Sequence, residues 1–198
     1  MDKKGLKDFL KKLWHFIWED NSILSWIVNV ILAFLIVKFL IYPGLGLLLG
    51  TGFPVVAVVS DSMEHDGLDF DKWWNEREEI YSSFMISKDE FLSYKFKNGF
   101  NAGDLMVLVG VGAEEIKLGD SLVFLGDAPG PIIHRVVKID RNNGEIFIQT
   151  MGDNKDKNKG SRPDEFGITE EKIVGKGVFR IPYLGWVKLG ALKLVGMA

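Results

Sequence analysis

A serine, a histidine and an aspartate occur in this order along the chain, each beside a run of residues that favour β-strands. Ser62 follows one such run, His134 lies inside a second, and Asp153 follows a third. A serine hydroxyl is a weak nucleophile near neutral pH, and a histidine oriented by a carboxylate is the base that can activate it. These residue types therefore favour a serine hydrolase, with Ser62 as the nucleophile and His134 as the base.

The spacing around residues 143–144 predicts that His134 and Asp153 lie together. These two residues are Asn-Gly, the strongest sequence signal for a two-residue hairpin loop, so Asn142 is expected to pair with Glu145. In that register His134 lies directly opposite Asp153, with Cβ atoms about 4.5 to 5.5 Å apart. A four-residue loop would leave the two residues diagonal to each other. An imidazole and a carboxylate at either separation can form a hydrogen bond that selects the histidine tautomer.

Composition excludes several other classes of chemistry. The chain has no cysteine and three histidines (His15, His65 and His134), so thiolate catalysis and cysteine-ligated zinc are excluded and a metallohydrolase lacks ligands. We therefore expect neither a metal ion nor a cofactor. The formal net charge is -3 with no basic stripe, so nucleic acid is not an expected partner.

Short apolar runs separated by glycine or proline place these residues on a β-rich scaffold. The runs predict strands at 54–60, 104–111, 121–125, 132–140, 145–151 and 173–181. We expect a mostly β catalytic domain over 43–198, with a folded-over or barrel-like sheet.

Residues 66–99 interrupt the β pattern and predict a small helical insertion. Six aromatic or apolar side chains fall on one helical face, and Ser87-x-x-Glu90 is typical of a capping box. The face is most simply a small core of the insertion, although it could cover the site, touch lipid or bind a partner. These six residues are Phe70, Trp73, Trp74, Ile80, Tyr81 and Phe84.

An apolar segment at 22–42 is long enough to span a bilayer as a helix of roughly 30 Å. It predicts a single, permanent transmembrane anchor, because it is long for a signal peptide and no small-x-small cleavage site follows it. Five lysines precede it, whereas no lysine or arginine occurs between residues 39 and 60. The positive-inside rule then places residues 1–21, an amphipathic segment, in the cytoplasm and the β-rich domain outside. The glycine-rich stretch at 43–53 is expected to rest on the outer membrane surface.

Four ordered boxes resemble those of type I signal peptidases. The segment 58–64 (VVSDSME) resembles their S-x-S-M box, 119–124 (GDSLVF) is similar to their G-D-hydrophobic strand, and 150–154 (TMGDN) is similar to their G-D-N box. The segment 133–136 (IHRV) resembles the box that carries the general base. Because this base is His134 rather than lysine, the resemblance is to the archaeal and endoplasmic-reticulum branch.

The resemblance implies a membrane-anchored serine endopeptidase that removes signal peptides from secreted preproteins at the outer surface of the cell membrane. The expected partners are preprotein signal peptides, the lipid bilayer and the secretory translocon. Holding the nucleophile near the membrane would raise the effective concentration of the two reacting groups. Small substrate residues one and three positions before the cut would fit shallow apolar pockets, which Val55, Val56, Val58 and Val59 could line.

The resemblance also implies roles for further residues. Ser60 matches a serine whose hydroxyl helps to stabilise the oxyanion, and Asp164 is the best match to a second acidic residue, with Asp156 behind it. Asp153 and Asp164 remain alternatives for the acid that orients His134. A non-catalytic, membrane-anchored β-rich binding or assembly protein of the same fold is the main competing hypothesis. A self-cleaving repressor would need a lysine base and a DNA-binding domain, and the sequence indicates neither.

Overall fold

The computed structural model describes residues 3–127, 130–142, 144–186 and 190. The chain forms two compact units, Met1–Leu48 and Leu49–Ala198.

The first unit is helical. Helix α1 (Lys3–Trp18) is amphipathic, with exposed apolar side chains beside its lysines. Helix α2 (Ile23–Ile36) begins at Ser22, whose hydroxyl accepts the backbone N–H of Ser25 at 3.1 Å. It runs through a π-helical turn (Val37–Ile41) into α3 (Tyr42–Leu49).

The helical stretch Ile23–Leu49 has 27 residues and is long and apolar enough to cross a membrane, by length and composition. The sequence predicted an anchor ending at Tyr42, whereas the helix continues to Leu49. Pro43 lacks the N–H that an α-helix needs, and the π-turn before it accommodates this loss, because the Tyr42 N–H donates to the Val37 carbonyl five residues back. Residues 43–49 of the segment predicted to rest on the membrane surface are therefore helix.

Within the described residues, the second unit contains one antiparallel sheet of six strands in the order β1-β2-β6-β3-β4-β5. All six predicted strands are present, which confirms a mostly β domain. The strands are β1 (Val55–Ala57), β2 (Leu105–Val109), β3 (Ser121–Leu125), β4 (Pro131–Asn142), β5 (Glu145–Met151) and β6 (Ile173–Ile181).

The sheet folds over on itself. Strands β1 and β4 are separated by three strands in the sheet order, yet Val56 of β1 and Ile133 of β4 line the same cavity. A buried apolar cluster that includes Val58, Met106 and Val123 joins the segment after β1 to β2 and β3. This curvature brings the end of β1 close to β4 and positions the site.

The hairpin between β4 and β5 begins in the predicted register, with Asn142 paired to Glu145; Asn143 lies outside the described residues. The pairing continues to Lys138 opposite Gln149, and a β-bulge at Val137 then shifts it by one residue. Beyond the bulge Arg135 pairs with Met151. The prediction that His134 lies directly opposite Asp153 is therefore wrong.

The insertion contains α4 (Phe70–Ser83) and α5 (Lys88–Leu92). The Asp69 carboxylate caps α4 at 2.9 Å from the Lys72 N–H, and the Ser87 hydroxyl caps α5 at 3.2 Å from the Glu90 N–H. The six residues of the predicted face belong to one apolar cluster. This cluster also contains Val137 and Met151 of the sheet, so the insertion packs against the β domain rather than only on itself.

Candidate active site

Ser62, His134 and Glu165 form a hydrogen-bonded chain. The Ser62 hydroxyl lies 2.9 Å from His134 Nε2, and His134 Nδ1 donates to the carboxylate of Glu165. The Ser60 hydroxyl lies 3.1 Å from the Ser62 hydroxyl. A hydroxyl, an imidazole and a buried carboxylate are thus arranged in the order that serine hydrolysis would require.

Three elements supply these side chains. Ser62 lies in a turn just after β1, in which the Glu64 N–H donates to the Asp61 carbonyl at 3.0 Å. His134 lies in β4, opposite Leu122 of β3, and is almost fully buried. Glu165 ends a short 3₁₀ turn, Pro163–Glu165, far along the chain from both.

Glu165 is fully buried and is held from several directions. One of its oxygens accepts the Arg162 backbone N–H at 2.5 Å, and the Arg162 Nε lies 3.6 Å from the same oxygen. The other oxygen faces His134, with the Thr150 hydroxyl at 3.5 Å. The carboxylate is therefore fixed before any substrate binds.

Asp164, the predicted second acid, points elsewhere. Its carboxylate accepts the Asp127 backbone N–H at 3.3 Å and lies 3.7 Å from Arg162 Nε. Asp156, the weaker candidate, is exposed on the loop after β5. Sequence reasoning singled out the acidic segment but missed Glu165, because successive residues of a 3₁₀ turn point about a third of a turn apart. The sequence signal that could have identified Glu165 was its position directly after Asp164.

Asp153 lies in a second buried network rather than against His134. Arg135 approaches its carboxylate with two nitrogens, Nε at 2.9 Å and Nη2 at 2.5 Å from separate oxygens. The Tyr81 hydroxyl donates to it at 2.7 Å, and His65 Nε2 lies at 3.4 Å. The bulge explains this arrangement: a one-residue register shift exchanges the faces of the strand, so Arg135 rather than His134 reaches Asp153.

The charges of this network compensate each other. Burial by itself would raise the pKa of Asp153, but the Arg135 guanidinium and His65 outweigh it and hold the pKa below its ordinary value. Burial would lower the pKa of Arg135, and Asp153 outweighs that effect and raises it. Burial, followed by the Asp153 charge, raises the pKa of Tyr81 well above its ordinary value. Asp153 is therefore a buried carboxylate paired with a guanidinium.

A cavity of about 350 Å³ opens beside Ser62 and His134. Val56, Val58 and Val59 line it as the sequence predicted, whereas Val55 is not among its lining residues. Its walls near β1 and the start of β4 are apolar. Polar and charged side chains line the rest. Asp61, Lys157, Asn158 and Arg162 supply these groups, with Lys157 Nζ 3.5 Å from the Asp61 carboxylate.

Among the residues that the structure describes, no group of three or more histidine, aspartate or glutamate side chains is arranged to hold a metal ion.

No family model matches the chain. The chain is 28% identical over 154 residues to the signal peptidase complex catalytic subunit SEC11C of Homo sapiens and, equally, of Mus musculus. It is 28% identical over 121 residues to the signal peptidase complex catalytic subunit SEC11 of Candida tropicalis, which covers 54% of the chain and 72% of that relative.

The alignment with the mammalian subunits covers 76% of the chain, and the chain spans about 63% of their length. The resemblance to the endoplasmic-reticulum type of signal peptidase, inferred from the four sequence boxes, is confirmed at this modest identity.

Proposed function

We propose that this chain is a membrane-anchored serine endopeptidase that removes signal peptides from secreted preproteins. The observation that carries the proposal is the 2.9 Å contact between the Ser62 hydroxyl and His134 Nε2, with Glu165 bonded to the far side of the imidazole. The names of the similar proteins support the substrate class.

In the proposed reaction, His134 Nε2 takes the Ser62 proton as the serine oxygen attacks the scissile carbonyl carbon. The Ser62 backbone N–H and the Ser60 hydroxyl donate to the oxyanion of the tetrahedral intermediate. The imidazolium then protonates the leaving amine, and an acyl-enzyme remains. A water molecule, deprotonated by His134, releases the signal peptide and restores the serine. The Glu165 carboxylate accepts the Nδ1–H throughout and stabilises the positive charge on His134.

Substrate selection in this proposal belongs to the cavity beside the serine. Its apolar walls at Val56, Val58 and Ile132 leave room for small side chains one and three residues before the cut. Larger side chains would collide with walls that the surrounding strands hold in place. An extended peptide beside these strands would present alternate side chains to the walls.

The proposed location is the cell membrane, with one span, a cytoplasmic N-terminus and the β domain outside. The 27-residue apolar helix and the lysines before it support this orientation. The lipid bilayer and the secretory translocon are the proposed neighbours. The similar proteins are named as subunits of a complex, and we extend a role in such an assembly to this chain.

The test is cleavage of a labelled preprotein by the detergent-purified full chain, with the new N-terminus identified by mass spectrometry. Cleavage after a small-x-small site is expected for the wild type and should be lost in Ser62→Ala and in His134→Ala. A folded wild-type chain that cleaves nothing in lipid would contradict the proposal and favour the non-catalytic binding or assembly protein.

A further inference from the structure

One face of α4 is bonded to the loop that follows β5. Trp73, Arg77 and Tyr81 are spaced four residues apart and therefore lie on the same side of the helix, and all three are buried. Each donates hydrogen bonds to residues within 152–158. The bonds run from Trp73 Nε1 to the Asp153 carbonyl (3.2 Å), from Arg77 to the carbonyls of Asn158 (2.8 Å) and Gly152 (3.2 Å), and from the Tyr81 hydroxyl to the Asp153 carboxylate (2.7 Å).

The same loop holds the backbone of the nucleophile. The Ser62 carbonyl oxygen accepts the Asn154 backbone N–H at 2.9 Å and the Asn158 side-chain amide at 3.0 Å. A Cβ at Gly152 would lie 2.6 Å from this carbonyl oxygen, so the loop approaches it only because residue 152 is glycine. The 152–158 loop and the Ser62 backbone are thus closely packed against each other.

We propose that the helical insertion is a brace for the nucleophile, and that Trp73, Arg77 and Asn158 are positioning residues that act through the 152–158 loop on Ser62. The inference rests on the proposed function and deepens it. Arg77 bonds two loop carbonyls from a planar, rigid donor. Asn158 transmits that constraint to the backbone carbonyl of Ser62, the residue that also carries the attacking hydroxyl and the N–H proposed as an oxyanion donor.

Asn158→Ala tests the last link of the brace. The variant keeps the backbone N–H and carbonyl that bond Asn154 and Arg77, and it loses the amide that bonds Ser62. We expect kcat to fall by roughly tenfold to 100-fold, because small displacements of reacting groups have effects of this order. KM should change by a smaller factor than kcat, because Asn158 contributes only to the polar side of the cavity and the apolar walls that would hold the substrate side chains are untouched. A wild-type kcat in Asn158→Ala would overturn the proposal.

Trp73 and Trp74 offer a matched pair for the first link. The two indoles are neighbours in the same apolar cluster, and each side chain is 1% exposed. Trp73 Nε1 bonds the loop, whereas Trp74 Nε1 has no hydrogen-bond partner among the residues that the structure describes. Trp73→Phe is expected to lower kcat severalfold, and Trp74→Phe to retain wild-type kcat at a similar melting temperature. If the two changes lowered kcat equally, the effect would come from general core packing rather than from the bond between Trp73 and the loop, and the proposal would be overturned.

Hydrogen exchange of the segment 60–66 gives a readout that does not depend on peptidase activity. Exchange should be faster in Trp73→Phe and Asn158→Ala than in wild type and Trp74→Phe. If the wild type cleaves no preprotein but these differences in exchange are found, the proposed function fails and the brace stands. If the wild type cleaves and neither exchange nor kcat responds to the two changes, the brace fails and the proposed function stands.

Discussion

The β domain contains two buried histidine–carboxylate pairs that differ in what lies beyond the imidazole. In the first, His134 bonds Glu165 and turns its other nitrogen to the Ser62 hydroxyl and the adjoining cavity. In the second, His65 faces Asp153, and its other nitrogen is buried with no hydrogen-bond partner in the described part of the chain. The His65 ring stacks on Trp73 with the ring centres 3.7 Å apart. One histidine therefore connects a carboxylate to a serine hydroxyl, whereas the other lies between a carboxylate and an indole ring.

The carboxylates also differ in their counterions. Asp153 is neutralised by the buried guanidinium of Arg135, which approaches with two nitrogens. Glu165 has Arg162 at 3.6 Å, and that side chain is half exposed and offers a second contact to Asp164. In the proposed reaction, the positive charge that His134 would acquire from the Ser62 proton is therefore the closest cationic partner for Glu165. Glu165, which among the described residues lacks a close buried counterion, is suited to stabilise a protonated histidine. Asp153, which is already paired with a buried guanidinium, is suited to stabilise the fold.

The largest expected effect is on preprotein cleavage, and it should distinguish the two neighbouring acids, Asp164 and Glu165. Glu165→Gln keeps the shape of the side chain but no longer favours the productive tautomer and charge of His134, so kcat for preprotein cleavage should fall on the order of 10⁴-fold. Asp164→Asn, the matched control, should change kcat by less than about threefold because its carboxylate bonds Asp127 rather than His134. The reverse ranking in the preprotein assay would return the orienting role to Asp164.

The second effect is on stability and tests whether the fold needs the Asp153–Arg135 pair. Asp153→Asn leaves the Arg135 charge buried without a carboxylate, which costs about 3 to 5 kcal/mol of the free energy of unfolding in comparable cases. Asp156→Asn, at an exposed position on the same loop, should stay within about 0.5 kcal/mol of wild type. Urea unfolding measures both. A loss below about 1 kcal/mol in Asp153→Asn would show that the Asp153–Arg135 pair is not needed by the fold.

The third prediction gives the pH dependence of that difference. Because the folded-state pKa of Asp153 is lowered, its contribution to stability is complete above the unfolded value of about 3.9 and is lost as the pH falls through the folded pKa. The gap in unfolding free energy between wild type and Asp153→Asn should be constant near neutral pH and narrow below about pH 4. Urea unfolding between pH 3 and pH 7 measures it, and a gap that widens in acid would contradict the assignment.

The smallest effect is expected at His65. His65→Phe keeps a flat ring to stack on Trp73 and removes only the long contact to Asp153, which Arg135 and Tyr81 already satisfy. We expect preprotein cleavage within about threefold of wild type and a stability change of about 1 kcal/mol. The measurements are kcat and the melting temperature. A loss of activity as deep as that of His134→Ala would make the second pair part of the reaction.

Much of the β domain was predictable because its signals are local. Glycine or proline separates most of the strand-forming runs, and all six predicted strands are present within a few residues of their expected ends. The Asn142 to Glu145 pairing followed from the loop signal alone. The bulge at Val137 was not predictable in this way, since Val136, Val137 and Lys138 carry no turn residue. Packing of Val137 into the cluster with Trp73 accompanies the shift.

By itself the sequence determined the six strands, the apolar helix and the two side chains, Ser62 and His134, from which hydrolysis was predicted. Tertiary structure decided which carboxylate stands behind the base and what the insertion touches. The physical reason is that hydrophobic periodicity and turn chemistry act over a few residues, whereas the contact of His134 with Glu165 spans 31 positions. It depends on a one-residue bulge and a 3₁₀ turn, each of which redirects side chains without changing the local pattern.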